Sequence, residues 1–344
     1  MTVRMKDIAK DLGLSVVTIS KVLRNHPDIA DETRERVLKR VKELDYQPNL
    51  MARSLVTGRS YLIGLVVPSL LHPFFAEVAV ALSAEVGKRG YSLLLASSDE
   101  QPEVEVREVQ QMIARHLDAL VIVTCIGDTS VLQRLQRGGI EYVFMDRAVE
   151  GETGNFVGSD DRSAGRLATE HLIQQGCRQI AHIRGPRVAT SEARLQGYRD
   201  ALADHGIAFR ESLVVASDRV DSDAIAHGAG AMRRLLAAGE RPDGLFAFND
   251  PLAIGAMQAA FDAGLRIPAD LAVIGCGNLH FDPLLRVPLS SIDQHSAEIG
   301  RQTAAILLKR IEAKVKPEPR QVILEPRLLP RASSLRHPLP ASNQ

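Results

Sequence analysis

Apolar residues at the start of the chain return every three or four positions. In MKDIAKDLG, Met5, Ile8, Ala9 and Leu12 fall at i, i+3, i+4 and i+7, one face of an amphipathic helix. Gly13 follows, a residue that takes left-handed backbone at no steric cost, and Leu14 can fold back into a core. Ser15 can cap a second helix, Val16 to Arg24, by accepting a bond from a free backbone N–H. That helix puts Ile19, Val22 and Leu23 inward and leaves Val16, Val17, Ser20 and Lys21 outward. A third helix carries Val37, Val41 and Leu44 on one face. Two short helices across a tight turn, with a third behind them, form the pattern of a helix-turn-helix DNA reader. An ordinary three-helix bundle is the alternative that the pattern leaves open.

The pattern changes after residue 47. Pro48 ends the third helix, and Asn49 to Val56 could form two helical turns before Gly58. An isolated helix of that length is marginal in water, so it should order only against a partner; a loose linker is the other reading. From Tyr61 onward, short apolar runs alternate with segments of helical period. The runs are LIGLVV from Leu62, SLLLA from Ser92, ALVIV from Ala119, YVFM from Tyr142, QIAHI from Gln179, GLFAF from Gly244 and LAVIG from Leu271. Helices are expected to begin near Phe74, Glu103, Ser163, Ala193 and Leu252. Near-continuous apolar strands separated by helices predict parallel sheets covered on both faces, and this length suits two doubly wound α/β lobes. In such folds ligands bind beyond the carboxyl ends of the strands. The segments to watch are therefore Pro68–Phe75, Asp146–Arg147, Arg184–Arg194, Phe248–Asp250 and Gly275–Asn278.

Charge adds one distinction. Over 344 residues the formal net charge is zero, but residues 1–60 hold 12 Lys and Arg against 8 Asp and Glu, a net of +4. The remainder is correspondingly acidic, so an anionic partner suits the head alone. Three well-separated cysteines, Cys125, Cys177 and Cys276, give no disulfide framework and fit a reducing cytosol. Charges at Arg4, Lys6 and Asp7 break any signal-peptide run, and no apolar stretch approaches the ~20 residues that span a bilayer. A cytoplasmic chain without membrane contact is expected. Enzyme signatures are missing: there is no GxxxxGK[ST], GxSxG or HExxH, and His280 stands where a dinucleotide fingerprint from Gly275 would need its third glycine. Cys276, His280 and Asp282 could be imagined as a nucleophilic set, but Cys276 reads more simply as a small strand-end residue. No catalytic residue, cofactor or metal is expected.

Taken together, these pieces resemble the LacI/GalR family of bacterial transcription regulators, in order over about residues 4 to 334. The resemblance is carried by KDIAKDLGLSVVTISKVL, DETRERVLKRVKELDYQPNLMARSLVTGRS, PFFAEV, GYSLLLASSDE, VGSDDRSAGRLATEHL, IRGP, FNDPLAIGAM, DAGLRIPADLAVIG and VPLSSIDQ. It implies a helix-turn-helix head over 1–47, a hinge over 48–60 and a two-lobed effector-binding and dimerisation body over 61–334. The lobes would be about 61–160 with 293–321 and 161–292 with 322–334, and 335–344 would be a disordered tail. It further implies a repressor that acts as a homodimer on a pseudo-palindromic double-stranded DNA operator and responds to a small, carbohydrate-derived effector.

Carried over residue by residue, the resemblance assigns base reading to Val16, Val17 and Lys21. Valines can meet thymine methyls, while Lys21 can donate to guanine or, equally, to a phosphate. Thr18, Ser20 and Tyr46 would touch phosphates, and Leu55 of the hinge would wedge between minor-groove base steps. Effector positions fall on Phe74, Phe75, Asp146, Arg147, Thr190, Arg194, Asn249, Asp250 and Gln294; core packing for the phenylalanines and a helix cap for Asp250 are the plainer readings. Two positions depart from the family. Gly277 replaces a carboxylate, and Arg219 stands where an aromatic is common, near extra residues around Asp221 to His227. With Arg147 and Arg194, these changes suggest an anionic sugar as effector, unless the arginines pair with nearby aspartates.

Overall fold

The computed structural model describes residues 3–23, 26–47, 54, 57–125, 135–149, 151 and 153–336. It divides into two compact units, residues 1–60 and 61–344.

In the first unit the expected periodicity becomes three helices, α1 (Met5–Leu12), α2 (Val16–Leu23) and α3 (Asp31–Glu43). The Arg4 N–H donates to Asp7 at 2.9 Å and opens α1, and Gly13 at φ +64 closes it. The Leu14 N–H then reaches back to the Ala9 carbonyl at 2.9 Å, so the tight turn is itself hydrogen-bonded. The Ser15 hydroxyl accepts from the Thr18 N–H at 3.0 Å and caps α2. Ile8, Ala9, Ile19, Val22, Val37 and Tyr46 form the core. Ser15→Ala should cost this small unit about 1 kcal/mol, because one orphan N–H of α2 loses its acceptor. Faster amide exchange along α2 is the expected reading; unchanged protection would refute the cap's importance. The expected hinge helix, including Leu55, lies outside the described residues.

The second unit holds two six-stranded sheets. The first has the order β11-β5-β4-β3-β1-β2 and is parallel throughout. Its strands are β1 (Leu62–Val67), β2 (Ser92–Ser97), β3 (Ala119–Ile122), β4 (Glu141–Met145), β5 (Phe156–Ser159) and β11 (Gln321–Leu324). The second has the order β12-β10-β9-β8-β6-β7. It comprises β6 (Ile180–Arg184), β7 (Val214–Ala216), β8 (Gly244–Ala247), β9 (Ala272–Cys276), β10 (Ser290–Asp293) and β12 (Arg327–Leu329). Only β12 runs antiparallel, against β10. Helices α4 (Pro73–Gly87), α5 (Pro102–Ala114) and α10 (Ser296–Glu312) belong to the first lobe. Helices α6 (Asp161–Gln174), α7 (Ala189–Asp204), α8 (Ala224–Ala237) and α9 (Asp250–Asp262) belong to the second.

Small residues let the helix pairs of the second lobe touch backbone to backbone. A Cβ on Gly165 would stand 2.1 Å from the Arg194 carbonyl, and one on Gly197 would stand 2.0 Å from that of Arg162, so α6 and α7 meet only through glycine. Gly228 and Gly255 repeat the device between α8 and α9. This contact fixes where α7 delivers Arg194.

Two expected boundaries need correction. The last crossing between lobes was expected at residue 321/322, but β11 pairs with β5 through Leu324. Val322 and Leu324 pack against the first lobe's core, so the chain crosses at Glu325–Pro326. The C-terminal tail was expected to be loose from residue 335, yet Arg336 donates to the carbonyls of Pro268 and Asp243 and its N–H reaches Gln175.

Candidate functional site

Two faces matter. On α2, Val16 and Val17 are 45% and 63% exposed, unusual for valines on a helix whose opposite face is core. Lys21 and Ser20 lie on the same helix, half-buried, and Lys21 Nζ donates to Asp28 at 2.5 Å. The Lys21 hydrogen bond is the main reason the Asp28 carboxyl sits below its usual range. Exposed pairs of this kind contribute little and exchange readily for another anion. The Thr18 hydroxyl is shared with Ser15 at 2.9 Å. Tyr46 packs its ring into the head's core and is 9% exposed.

In the body, the carboxyl ends of the two sheets face each other across a cleft, and polar groups from both lobes meet there. Asp146 ends β4 in left-handed backbone, φ +62, and Arg147 follows it inward. Arg147 Nη2 crosses to the Asp221 carboxylate of the second lobe, while Asp146 Oδ2 lies 3.9 Å from its Nε. Arg194, delivered by α7, donates to Asp161 at 2.8 Å and to the Phe248 carbonyl at 2.6 Å, with its guanidinium 4.4 Å above the Phe248 ring. Asn249 caps α9 by accepting from the Leu252 N–H, and its amide donates to the Val220 carbonyl at 2.6 Å. The same Nδ2 lies 3.2 Å from His72 Nε2 of the first lobe. Thr190 and Gln294 are buried. Phe74 and Phe75 open α4 behind the His72 cap, and both rings lie in the first lobe's core.

Asp250 departs from the expected role. Its carboxylate is fully buried, accepts from the Ser291 hydroxyl at 2.7 Å and the Leu279 N–H at 3.3 Å, and lies beside Asp282. Nor is it the helix cap, which is Asn249. It also occupies the space beside Gly277, whose φ of +137 suits glycine and whose Cβ would meet Asp250 Oδ2 at 3.0 Å. Burial first, and the Asp250 carboxylate second, push the Asp282 carboxyl up to about 9. A carboxyl raised in the folded state contributes stability that is fully present below its unfolded value, about 4, and is lost progressively until pH has risen through its folded value. Wild-type chain should therefore lose stability progressively between about pH 4 and 9 from this group, and Asp282→Asn should flatten that part of the decline. Parallel melting curves for both proteins would refute the pairing.

The three arginines that suggested an anionic effector are all paired within the protein. Arg147 meets Asp221, Arg194 meets Asp161, and Arg219 meets Asp99 at 2.6 Å. Glu100 and Asp146 add further carboxylates, so the cleft carries more acid than base. Burial raises the Asp161 carboxyl to about 7 and also raises those of Asp146 and Glu100. The arginine charge on which the expectation of an anionic effector rested is thus committed to carboxylates within the protein. His72, Glu100, Asp161 and Asp221 were missed as cleft residues. Each follows a strand, and His72, Glu100 and Asp161 lie within segments or motifs quoted above, but no reading of those stretches singled out these side chains. Cys276 is buried, with its thiol pushed up to about 12, while His280 is exposed and turned toward Glu77, so no nucleophilic set forms from them.

A helix-turn-helix head and a two-lobed body with an interlobe cleft define a class of DNA-binding regulators. Family models agree: residues 4–49 match bacterial regulatory proteins of the lacI family, and residues 169–334 match a periplasmic binding protein-like domain. The ribose operon repressor of Halalkalibacterium halodurans is 35% identical over 90% of this chain and 91% of its own. The Lac repressor dimer bound to operator and the anti-inducer ONPF superposes with a TM-score of 0.82 at 26% identity, covering 97% of this chain and all of that one. The complex of the regulator CelR with cellobiose gives a TM-score of 0.73 at 29% identity, covering 96% and 100%. The chain belongs to the LacI family of DNA-binding transcriptional repressors.

Proposed function

We propose that the chain is a cytoplasmic repressor that binds a pseudo-palindromic operator as a homodimer. Val16, Val17 and Lys21 read bases, and Leu55 wedges the minor groove. A small polyhydroxylated effector, neutral or cationic, binds in the cleft. The observation that carries the effector reading is a set of three buried polar atoms without a hydrogen-bond partner: Arg147 Nε, Thr190 Oγ1 and Gln294 Nε2. Buried donors left unmade are costly, and a ligand's hydroxyl oxygens would satisfy them. All three belong to residues assigned to the effector by resemblance. The CelR–cellobiose complex shows a carbohydrate in a protein of this fold. Homodimerisation is supported by the dimer that the Lac repressor forms on its operator in this fold, and the 93% exposed Leu71 side chain suits a surface covered by a second copy.

Calorimetry with neutral sugars, amino sugars, uronates and sugar phosphates tests the effector reading. Neutral or amino sugars should bind, and Arg147→Lys should weaken them because the Nε donor is lost. Tight binding confined to uronates or sugar phosphates would overturn it.

A further inference from the structure

The turn after β2 and the loop after β7 meet across the cleft through polar groups of the chain itself. Asp99 and Glu100 both adopt left-handed backbone, φ +50 and +56, which is uncommon for residues bearing a side chain. That turn presents two carboxylates to residues 219–222 of the other lobe. Glu100 accepts from three consecutive backbone N–H groups, those of Val220 at 3.1 Å, Asp221 at 3.3 Å and Ser222 at 3.1 Å. Successive N–H groups that converge in this way form a cradle for an anion. Asp99 accepts from the Ser222 hydroxyl at 2.7 Å and from Arg219 Nη2 at 2.6 Å, and its backbone carbonyl accepts from the same Nη2 at 3.1 Å. Arg219, anomalous in the sequence, is thereby accounted for: its guanidinium is committed to the opposite lobe.

Position gives these contacts leverage. The chain crosses between lobes after β5, after β10 and after β11, so the hinge lies beside β5 and β11 in one sheet and β10 and β12 in the other. β2 and β7 are the opposite edge strands of their sheets, as far from the crossings as each sheet allows. A contact between the turns that follow them resists opening with the longest available arm.

The structure assigns to Asp99, Glu100, Arg219 and Ser222 the role of an interlobe clasp, which holds the two walls of the cleft together at the edge opposite the hinge. The clasp is made of the protein's own atoms, so it biases the lobes toward closure without a ligand's help. It sets effector affinity through the closing equilibrium, since the fraction of closed cleft scales the apparent affinity. Glu100 is the stronger half. Its side chain is only 7% exposed, whereas Arg219 and Asp99 are 34% and 52% exposed and their ion pair is screened by water. The existence of the clasp rests on this geometry alone; its effect on affinity rests on the effector reading above, and a distance measurement separates the two.

The test is pulsed electron spin resonance on the full chain, with spin labels at Gln110→Cys and Ala237→Cys in a Cys125→Ser background. These exposed sites lie on α5 and α8, the helices that follow β2 and β7. The otherwise unaltered chain should give one narrow distance population. Glu100→Ala should add a population at longer distance, and Arg219→Ala a smaller one. Amide exchange at Val220, Asp221 and Ser222 should rise in the same order. Arg219→Ala removes a partly exposed side chain and leaves the core intact, so it serves even where Glu100→Ala folds poorly. Unchanged distances and unchanged exchange in the Glu100→Ala/Arg219→Ala double variant would overturn the clasp.

Discussion

Arg194→Met is expected to cost the body about 3–5 kcal/mol of stability, the range for breaking a buried ion pair by removing one partner. The guanidinium is 3% exposed and holds Asp161, the Phe248 carbonyl and the Phe248 ring together. Its loss would strand the Asp161 carboxylate, which burial already pushes toward neutrality. Without Arg194 the Asp161 carboxyl rises further, so the penalty should be smaller at pH 6, where Asp161 is protonated in both chains, than at pH 8. Asp161→Asn in the same chain should restore part of the loss. Denaturant titrations of the single and double variants at pH 6 and pH 8 would measure both effects. A single variant as stable as wild type, or a double variant worse than the sum of the singles, would contradict this reading.

Lys21→Ala is expected to weaken specific operator binding by ~1–3 kcal/mol, the range for losing a good base contact. Lys21 shares α2 with two outward valines that have no hydrogen-bonding groups. It is therefore the side chain among the three best able to read a donor–acceptor pattern. Its exposed bond to Asp28 is weak enough to exchange for DNA. Fluorescence anisotropy on operator and on random duplex, each over a salt series, distinguishes the two ways it can act. Loss confined to the operator marks base reading. Equal loss on both duplexes, with a shallower salt slope, marks a phosphate contact and refutes the base-reading role.

The head was legible because its elements are local. Helical period, one glycine and one capping serine specify α1, the turn and α2 within twenty residues. The apolar runs of β1, β2, β3 and β8 were legible for the same reason. Other elements were not. β5, FVGS, is four residues long and carries a glycine, and α8 is rich in alanine and glycine, so neither has a strong apolar period. β11 and β12 are split between lobes by Pro326, a boundary set by pairing with distant strands. The cleft was legible as a set of strand ends but not as a charge balance. Arg219 and Asp99 are 120 residues apart in the chain, and Arg147 and Asp221 are 74 apart. Counting arginines therefore suggested an anion site, whereas folding pairs each with a carboxylate.

The most direct test of the account is selection of random duplex DNA by the full chain, set beside residues 61–344 alone. The full chain should enrich an inverted repeat with half-sites one helical turn apart, and the body alone should enrich nothing. Failure of the full chain to enrich any sequence, or equal enrichment by the body, would contradict the assignment of sequence-specific DNA reading to α2.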